Sequence, residues 1–155
     1  RGQKPDYDNN GWWWELKCFK KSPSFDIGSI TGYIKDISKQ NGIKNKISVK
    51  YLIFEYKEKE DGSVEIVNFW NLSVWDLCCG YSGEKPLNCG GQSGVNIRPS
   101  GKGFWTSEKS KKDRNATNFL DRIEKLIQSK YYKISEEEKQ QKLLSIQTQR
   151  KTLEI

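Results

Sequence analysis

The sequence predicts an α/β (α+β) fold, because two pairs of strand-like segments precede a strongly amphipathic helix. Residues 4–9 and 12–19 flank Asn10-Gly11, a pair favoured in two-residue hairpin turns because both central positions need positive φ. Residues 49–56 and 64–70 are rich in β-formers and are separated by Asp61-Gly62. Residues 115–128 place their apolar side chains on one helical face, with Asn115 or Thr117 available as the cap.

Residues 12–19 divide into two faces, because side chains in a strand repeat every two residues. Glu15 and Lys17 share one face with Trp13, and we expect this face to carry chemistry. The other face is apolar, and we expect it to pack in the core; it consists of Trp12, Trp14, Leu16 and Cys18.

The remaining segments give weaker patterns. Residues 30–37 have helical spacing, and residues 73–79 predict one or two helical turns around Trp75. Residues 80–104 are rich in Gly, Ser, Asn and Pro, which predicts long loops with one short strand at residues 95–97. Ser135 and Glu138 form a capping box that predicts a polar helix after them.

Charge and composition limit the possible functions. The 155 residues contain 27 Lys and Arg against 20 Asp and Glu, so the net charge of +7 favours a polyanionic partner. There is no His, which excludes every nuclease or hydrolase that uses imidazole as its base. No apolar run predicts a membrane span or a signal peptide, so we expect a soluble cytoplasmic protein of a prokaryote that binds no membrane. The chain begins at Arg1 and has no Met, which indicates a missing N-terminal segment.

The four cysteines do not follow a known zinc pattern. They are Cys18, Cys78, Cys79 and Cys89, with no CxxC pair and no His beside them. We expect the adjacent Cys78 and Cys79 to be small buried side chains of a reduced protein.

The predicted hairpin brings acidic and basic side chains together. A two-residue Asn10-Gly11 turn makes paired positions add up to 21, so Asp6 should lie opposite Glu15, with Lys17 on the same face. Asp8 should lie on this face too, diagonal to Glu15. Carboxylate oxygens suit a hard cation such as Mg²⁺, and a nearby ammonium can position water and offset phosphate charge. The cluster therefore favours phosphodiester hydrolysis.

Pro5-Asp6, eight intervening residues and Glu15-Leu16-Lys17 resemble the PD-(D/E)xK signature of restriction endonucleases and related nucleases. The resemblance implies that Asp6 and Glu15 bind Mg²⁺ and that Lys17 assists the nucleophile. Some members of the superfamily place the metal aspartate closer to the glutamate, a spacing that Asp8 fits. The resemblance covers only residues 5–17, and it also implies a helix before the aspartate strand, for which only four residues are present.

The resemblance further implies a restriction-endonuclease-like mixed central β-sheet flanked by α-helices. We interpret residues 1–155 as a single nuclease domain, with a catalytic hairpin at 4–19, a basic loop at 90–114 and C-terminal helices at 115–155. The specific expectation is a type II restriction enzyme that acts as a homodimer on double-stranded DNA and leaves 5′-phosphates. Two alternatives stay open: a structure-selective repair nuclease, such as a Holliday-junction resolvase, and a nucleic-acid-binding module without catalysis.

Basic side chains along the chain are candidates for contact with DNA. Residues 98–114 contain six basic residues and two acidic ones, interleaved with Gly, Ser and aromatic residues, which is typical of a backbone-contacting loop. Arg98 or Gln92 is a candidate for reading a base edge. The predicted phosphate contacts are Lys20, Lys21, Lys35, Lys102, Lys109, Lys111, Lys112 and Arg114.

Overall fold

The computed structural model describes residues 7–9, 12–90 and 95–153, with the backbone alone for residues 7–9, 12 and 13. The described strands are β1 (Tyr7–Asn9), β2 (Trp12–Phe19), β3 (Gly28–Ser29), β4 (Lys50–Glu58), β5 (Val64–Ser73), β6 (Cys89–Gly90) and β7 (Asn96–Ile97). The described helices are α1 (Ile30–Ile37), α2 (Gly42–Ile47), α3 (Val74–Cys78), α4 (Lys102–Trp105), α5 (Ala116–Gln128) and α6 (Glu136–Leu153). A short 3₁₀ helix lies at Lys111–Asp113.

The main sheet is mixed and has the order β1-β2-β4-β5. The β1–β2 and β4–β5 pairs are antiparallel hairpins, whereas β2 and β4 are parallel. Parallel neighbours need a crossover connection, and here residues 20–49 supply it with β3, α1 and α2. The predicted mixed sheet with flanking helices is therefore confirmed, and the strands β3, β7 and β6 form a small second sheet.

The turn between β4 and β5 follows from its sequence. Gly62 has φ of 85°, a conformation that glycine adopts without steric cost. Asp61 Oδ1 accepts hydrogen bonds from the backbone N and the hydroxyl of Ser63, at 2.9 and 2.6 Å. Lys59 N donates to Ser63 O at 2.8 Å and closes the hairpin. The Asp61-Gly62 turn is thus confirmed as the separator of two paired strands.

The prediction that Leu16 and Cys18 on β2 pack in the core is wrong, because both side chains are exposed. The neighbouring strand β4 explains why, because Tyr51 and Ile53 are buried and pair with Glu15 and Lys17. Residues that pair directly in a sheet point to the same side. The core therefore lies on the side of the polar residues, and the apolar side of β2 faces outward.

The helices form where the sequence places caps and apolar stripes. Gly32 N donates to the side chain of Ser29 at 3.0 Å, which starts α1. Asn118 N donates to Asn115 Oδ1 at 2.8 Å, which confirms Asn115 as the cap of α5. The predicted turns at residues 73–79 are confirmed as α3, which begins with a capping box of Ser73 and Asp76. Helix α2 was not predicted, because Gly42 and three polar residues leave it with little apolar periodicity.

Helix α6 is fixed to the rest of the chain by polar contacts. Gln149 accepts a hydrogen bond from Ile43 N at 3.0 Å and donates to Ile37 O at 2.9 Å, so it spans the junction between α1 and α2. Arg150 pairs with Asp121 at 2.8 Å and with Glu124 at 3.0 Å on α5. These contacts position a helix that buries few apolar side chains of its own.

An aromatic cluster joins the end of β2 to helix α4. Trp105 is fully buried, and its ring meets Trp70 edge-on at 5.1 Å and Phe19 at 5.9 Å between centroids. Phe25, in the loop after β2, lies 6.4 Å from the same ring. Trp105 Nε1 donates to Ser100 O at 3.0 Å, so the indole has no unsatisfied polar atom. Residues 100–105 are therefore fixed against the sheet.

Gly42 gives a test of the packing between α1 and α2. A Cβ at this position would lie 2.2 Å from Asp36 O and 2.8 Å from the carbonyl of Ile37. We expect Gly42→Ala to lower the free energy of unfolding by about 1–3 kcal/mol, because backbone must shift to make room. Urea denaturation measures this change. Gly103→Ala is the control, since a Cβ there has open space, and equal losses for both variants would contradict the explanation.

Within the described residues, none of the helices combines the length and the apolar character needed to cross a bilayer.

Candidate active site

The register of the first hairpin agrees with the prediction. Tyr7 pairs with Trp14, Asp8 with Trp13 and Asn9 with Trp12, so every pair adds up to 21. The turn at Asn10-Gly11 and Asp6, the predicted partner of Glu15, lie outside the described residues. The backbone of β1 therefore places Asp8 at the position diagonal to Glu15 across the strand pair.

Glu15 and Lys17 lie next to each other on the inward side of β2. Lys17 Nζ is 3.8 Å from Glu15 Oε2, and the two side chains are only 25% and 23% exposed. In the parallel pair with β4, Glu15 stands beside Tyr51 and Lys17 beside Ile53. A carboxylate and an ammonium are thus held side by side over the buried centre of the sheet, where water screens their charges less than at a free surface.

Tyr51 is buried next to Glu15 in the adjacent strand. Burial raises the pKa of the Tyr51 hydroxyl well above its usual value, and the nearby Cys78 and Glu15 raise it further. The phenol therefore stays neutral at any pH at which the protein works. Tyr51 therefore adds no charge beside Glu15 and Lys17.

The chemistry of this site fits a hard divalent cation. Glu15 offers carboxylate oxygen, the ligand type that Mg²⁺ prefers, and the register brings an acidic position of β1 to the same strand pair. Among the described side chains, no three His, Cys, Asp or Glu residues are grouped so as to hold a metal ion. A complete set of protein ligands would therefore combine Glu15 with acidic residues of the first strand.

A second polar cluster, which the sequence pattern did not predict, lies farther along the same side of the sheet. Glu55 pairs with Phe19, two residues beyond Lys17, and is only 8% exposed. Its carboxylate accepts hydrogen bonds from Asn68 Nδ2 and Lys102 Nζ, both at 2.7 Å. These two bonds hold the pKa of Glu55 below its usual value. An acidic residue on the buried face of a predicted central strand was the signal that would have identified it.

The predicted phosphate contacts fall into two groups. Lys21, Lys35, Lys109, Lys111 and Lys112 are exposed. Lys20 and Lys102 are also exposed, but their ammonium groups pair with Glu58 at 3.0 Å and with Glu55 at 2.7 Å. Gln92 lies outside the described residues.

Arg114 differs from the prediction of an exposed phosphate contact. Its side chain is 14% exposed and pairs with Asp76 at 3.1 Å. It also donates to Ser110 Oγ at 3.0 Å and to Ser107 O at 3.1 Å. Most of its donors are therefore used to fix the segment before α5, because a guanidinium buried next to α3 needs partners within the protein.

Three of the four cysteines are buried together near α3. Cys78 and Cys79 are 0% and 1% exposed, which confirms them as small buried side chains. Burial raises the pKa of Cys79 to about 12, and it raises the pKa of Cys89 as well. These thiols are therefore protonated near neutral pH, while Cys18 is exposed.

Comparison with known proteins agrees with this geometry. Residues 4–152 match the NgoBV restriction endonuclease family. The chain belongs to this family. The match includes both hairpins of the main sheet, so Glu15 and Lys17 lie within the part that the NgoBV family shares.

A curated protein and a solved structure that are similar to this NgoBV-family chain both carry the name NlaIV. The type II restriction enzyme NlaIV of Neisseria lactamica is 33% identical over 101 residues, which cover 63% of this chain and 39% of that protein. A solved structure of the NlaIV restriction endonuclease has the same fold, with a TM-score of 0.68 at 23% identity over 92% of this chain. The NgoBV-family chain spans about two fifths of the curated enzyme and 58% of the solved chain.

Proposed function

We propose that this chain carries the active site of a Mg²⁺-dependent type II restriction endonuclease, which hydrolyses phosphodiester bonds in double-stranded DNA. The observation that carries the proposal is the pair formed by Glu15 and Lys17, 3.8 Å apart on the inward face of β2, in a chain of a restriction endonuclease family. The antiparallel register of β1 supports it, because it brings an acidic position next to Glu15.

On this proposal, Glu15 and either Asp6 or Asp8 hold Mg²⁺. When bound, the ion neutralises phosphate charge and lowers the pKa of coordinated water. Lys17 positions the attacking water and stabilises negative charge that develops on the phosphoryl oxygens. The water oxygen forms a bond to phosphorus and gives up a proton to solvent, while the bond to the 3′ oxygen breaks. The 3′ oxygen takes a proton from solvent, so the products are a 5′-phosphate and a 3′-hydroxyl. Glu15 orients Lys17 through their shared contact.

The DNA would be held by the exposed lysines of residues 90–114 and of the loop after β2. Lys109, Lys111 and Lys112 are exposed around the 3₁₀ helix and are free of ion pairs within the described part of the chain. Contacts of this kind release counterions from DNA and make binding salt-dependent. A homodimer acting in the cytoplasm of a prokaryote is part of the proposal, because two copies would match the symmetry of a palindromic site.

Cleavage of unmethylated phage DNA by the full-length protein tests this function. We expect discrete fragments in Mg²⁺ at low salt and intact DNA when EDTA replaces Mg²⁺, because the acidic cluster needs a cation. A smear of products would indicate a nuclease without sequence preference, which favours a repair enzyme of the same superfamily. Salt-sensitive DNA binding with no cleavage would indicate a binding module and would contradict the proposal.

A further inference from the structure

The β6–β7 hairpin is attached to the loop that leaves the catalytic strand. Cys89 pairs with Ile97 and Gly90 with Asn96. Ile27 N donates to Ile97 O at 2.8 Å, so the base of the hairpin pairs with the segment that follows β2. Ile97 is fully buried. The β6–β7 strand pair is thus held against the segment that follows β2.

Arg98, the residue after β7, is held in a defined orientation. Its Nε donates to Asp26 Oδ1 at 2.9 Å, and Asn96 Nδ2 donates to the other carboxylate oxygen at 3.1 Å. The side chain also crosses Gly90, where a Cβ would lie 2.7 Å from Arg98 Cδ and 3.1 Å from Nη1. Asp26 and the bare backbone of Gly90 therefore fix the guanidinium from two directions.

The outer end of this guanidinium keeps its donors. Within the described residues, no hydrogen bond uses Nη1 or Nη2 of Arg98. The side chain is 29% exposed, so a ligand can reach these donors. With Nε engaged by Asp26, the two Nη groups form a planar fork of parallel N–H donors. Such a fork matches two adjacent acceptors on one ligand edge.

Asp26 also joins this fork to the proposed active site. The preceding residue, Phe25, packs on Trp105, and Trp105 contacts Phe19 at the end of β2. Lys102, four residues after Arg98, is held by Glu55 on β4. The fork therefore has a fixed position relative to the strand that carries Glu15 and Lys17.

We propose that Arg98 determines sequence specificity by donating from Nη1 and Nη2 to O6 and N7 of a guanine in the major groove, with Asp26 as its positioning residue. This inference rests on the proposed function. Guanine is the base that presents two adjacent acceptors in the major groove, and two parallel Nη donors match them. The carboxylate of Asp26 offsets the charge of Arg98, which favours directional hydrogen bonding over general attraction to phosphate.

The test is cleavage of a randomised DNA library by the full-length protein, with sequencing of the cut ends. We expect Arg98→Ala to cut the preferred wild-type site about 5–150-fold more slowly and to lose the preference for G·C at one position of each half-site. Asp26→Ala should relax the same position, and Asp26→Asn, which retains an acceptor for Nε, should restore part of the preference. Because the pair is partly exposed, these variants should keep their thermal unfolding midpoints within a few degrees.

Lys109→Ala separates base reading from phosphate contact. It should slow cleavage equally at all sequences and reduce the salt dependence of DNA binding by about one unit of slope. If Arg98→Ala behaves in this way and keeps the wild-type preference at every position, the inference is overturned while the proposed function stands. If the wild type itself makes no Mg²⁺-dependent cuts, both fail.

Discussion

Replacing Lys17 with alanine is expected to slow Mg²⁺-dependent DNA cleavage by about 10²–10³-fold, the cost of removing one donor that stabilises charge in a transition state. The Lys17 side chain is three-quarters buried beside Glu15, so we do not expect a lysine on the protein surface to take its place. Single-turnover cleavage of a defined duplex measures the rate of the chemical step. DNA affinity in Ca²⁺, measured by fluorescence anisotropy, should change much less.

Lys57→Ala is the matched control for that variant. Lys57 lies on β4 of the same sheet but is exposed, and its partner Glu65 is on the adjacent strand at 3.4 Å. Its removal should leave the cleavage rate within about twofold, since an exposed ion pair contributes little. Similar losses from both variants would mean that the general charge of the sheet, and not a positioned ammonium, supports the reaction.

Replacing Glu15 with glutamine should have a different effect from Lys17→Ala. Glu15→Gln should raise the Mg²⁺ concentration needed for half-maximal cleavage.

The first hairpin was predictable in detail because its register depends on local sequence. Asn10-Gly11 allows a two-residue turn, and the turn length then fixes every pair in β1 and β2. The proximity of Glu15 and Lys17 follows from strand periodicity alone. These relations span fewer than a dozen residues, so tertiary packing had little opportunity to change them.

The side of β2 that faces the core was not predictable in this way. Hydrophobicity favoured the side of Leu16, which is 49% exposed, because alternation identifies two faces without indicating which one the helices cover. The answer depends on β4, whose Tyr51 and Ile53 bury the opposite side. Glu15 and Lys17 occupy the side of β2 that faces the core, where the periodic pattern would predict apolar residues.

Polar pairs between residues far apart in the chain could not be predicted from the sequence either. Arg98 and Asp26 are 72 residues apart, and Lys102 and Glu55 are 47 apart. Their partners come together only when the segment 98–105 packs beside the end of β2. Charge density drew attention to this segment, but it did not distinguish Arg98, whose Nη donors have no hydrogen-bond partner among the described residues, from Arg114, whose donors are used internally.

Trp105 shows how far the candidate site depends on packing outside it. We expect Trp105→Ala to lower the free energy of unfolding by about 3–5 kcal/mol, as for other large aromatic side chains removed from a core. The ring is fully buried between Trp70, Phe19 and Phe25, so truncation leaves a cavity and removes the hydrogen bond to Ser100 O. Urea denaturation followed by circular dichroism measures the loss.

Phe104→Ala is the neighbouring control, because Phe104 is 46% exposed and its truncation should cost about 1 kcal/mol or less. Trp105→Phe should recover part of the loss. We also expect Trp105→Ala to slow cleavage under conditions where the variant remains folded, since Phe19 and Lys102 lose the surface that positions them next to β2. A variant of reduced stability but full cleavage rate would show that the aromatic cluster stabilises the fold without orienting the site.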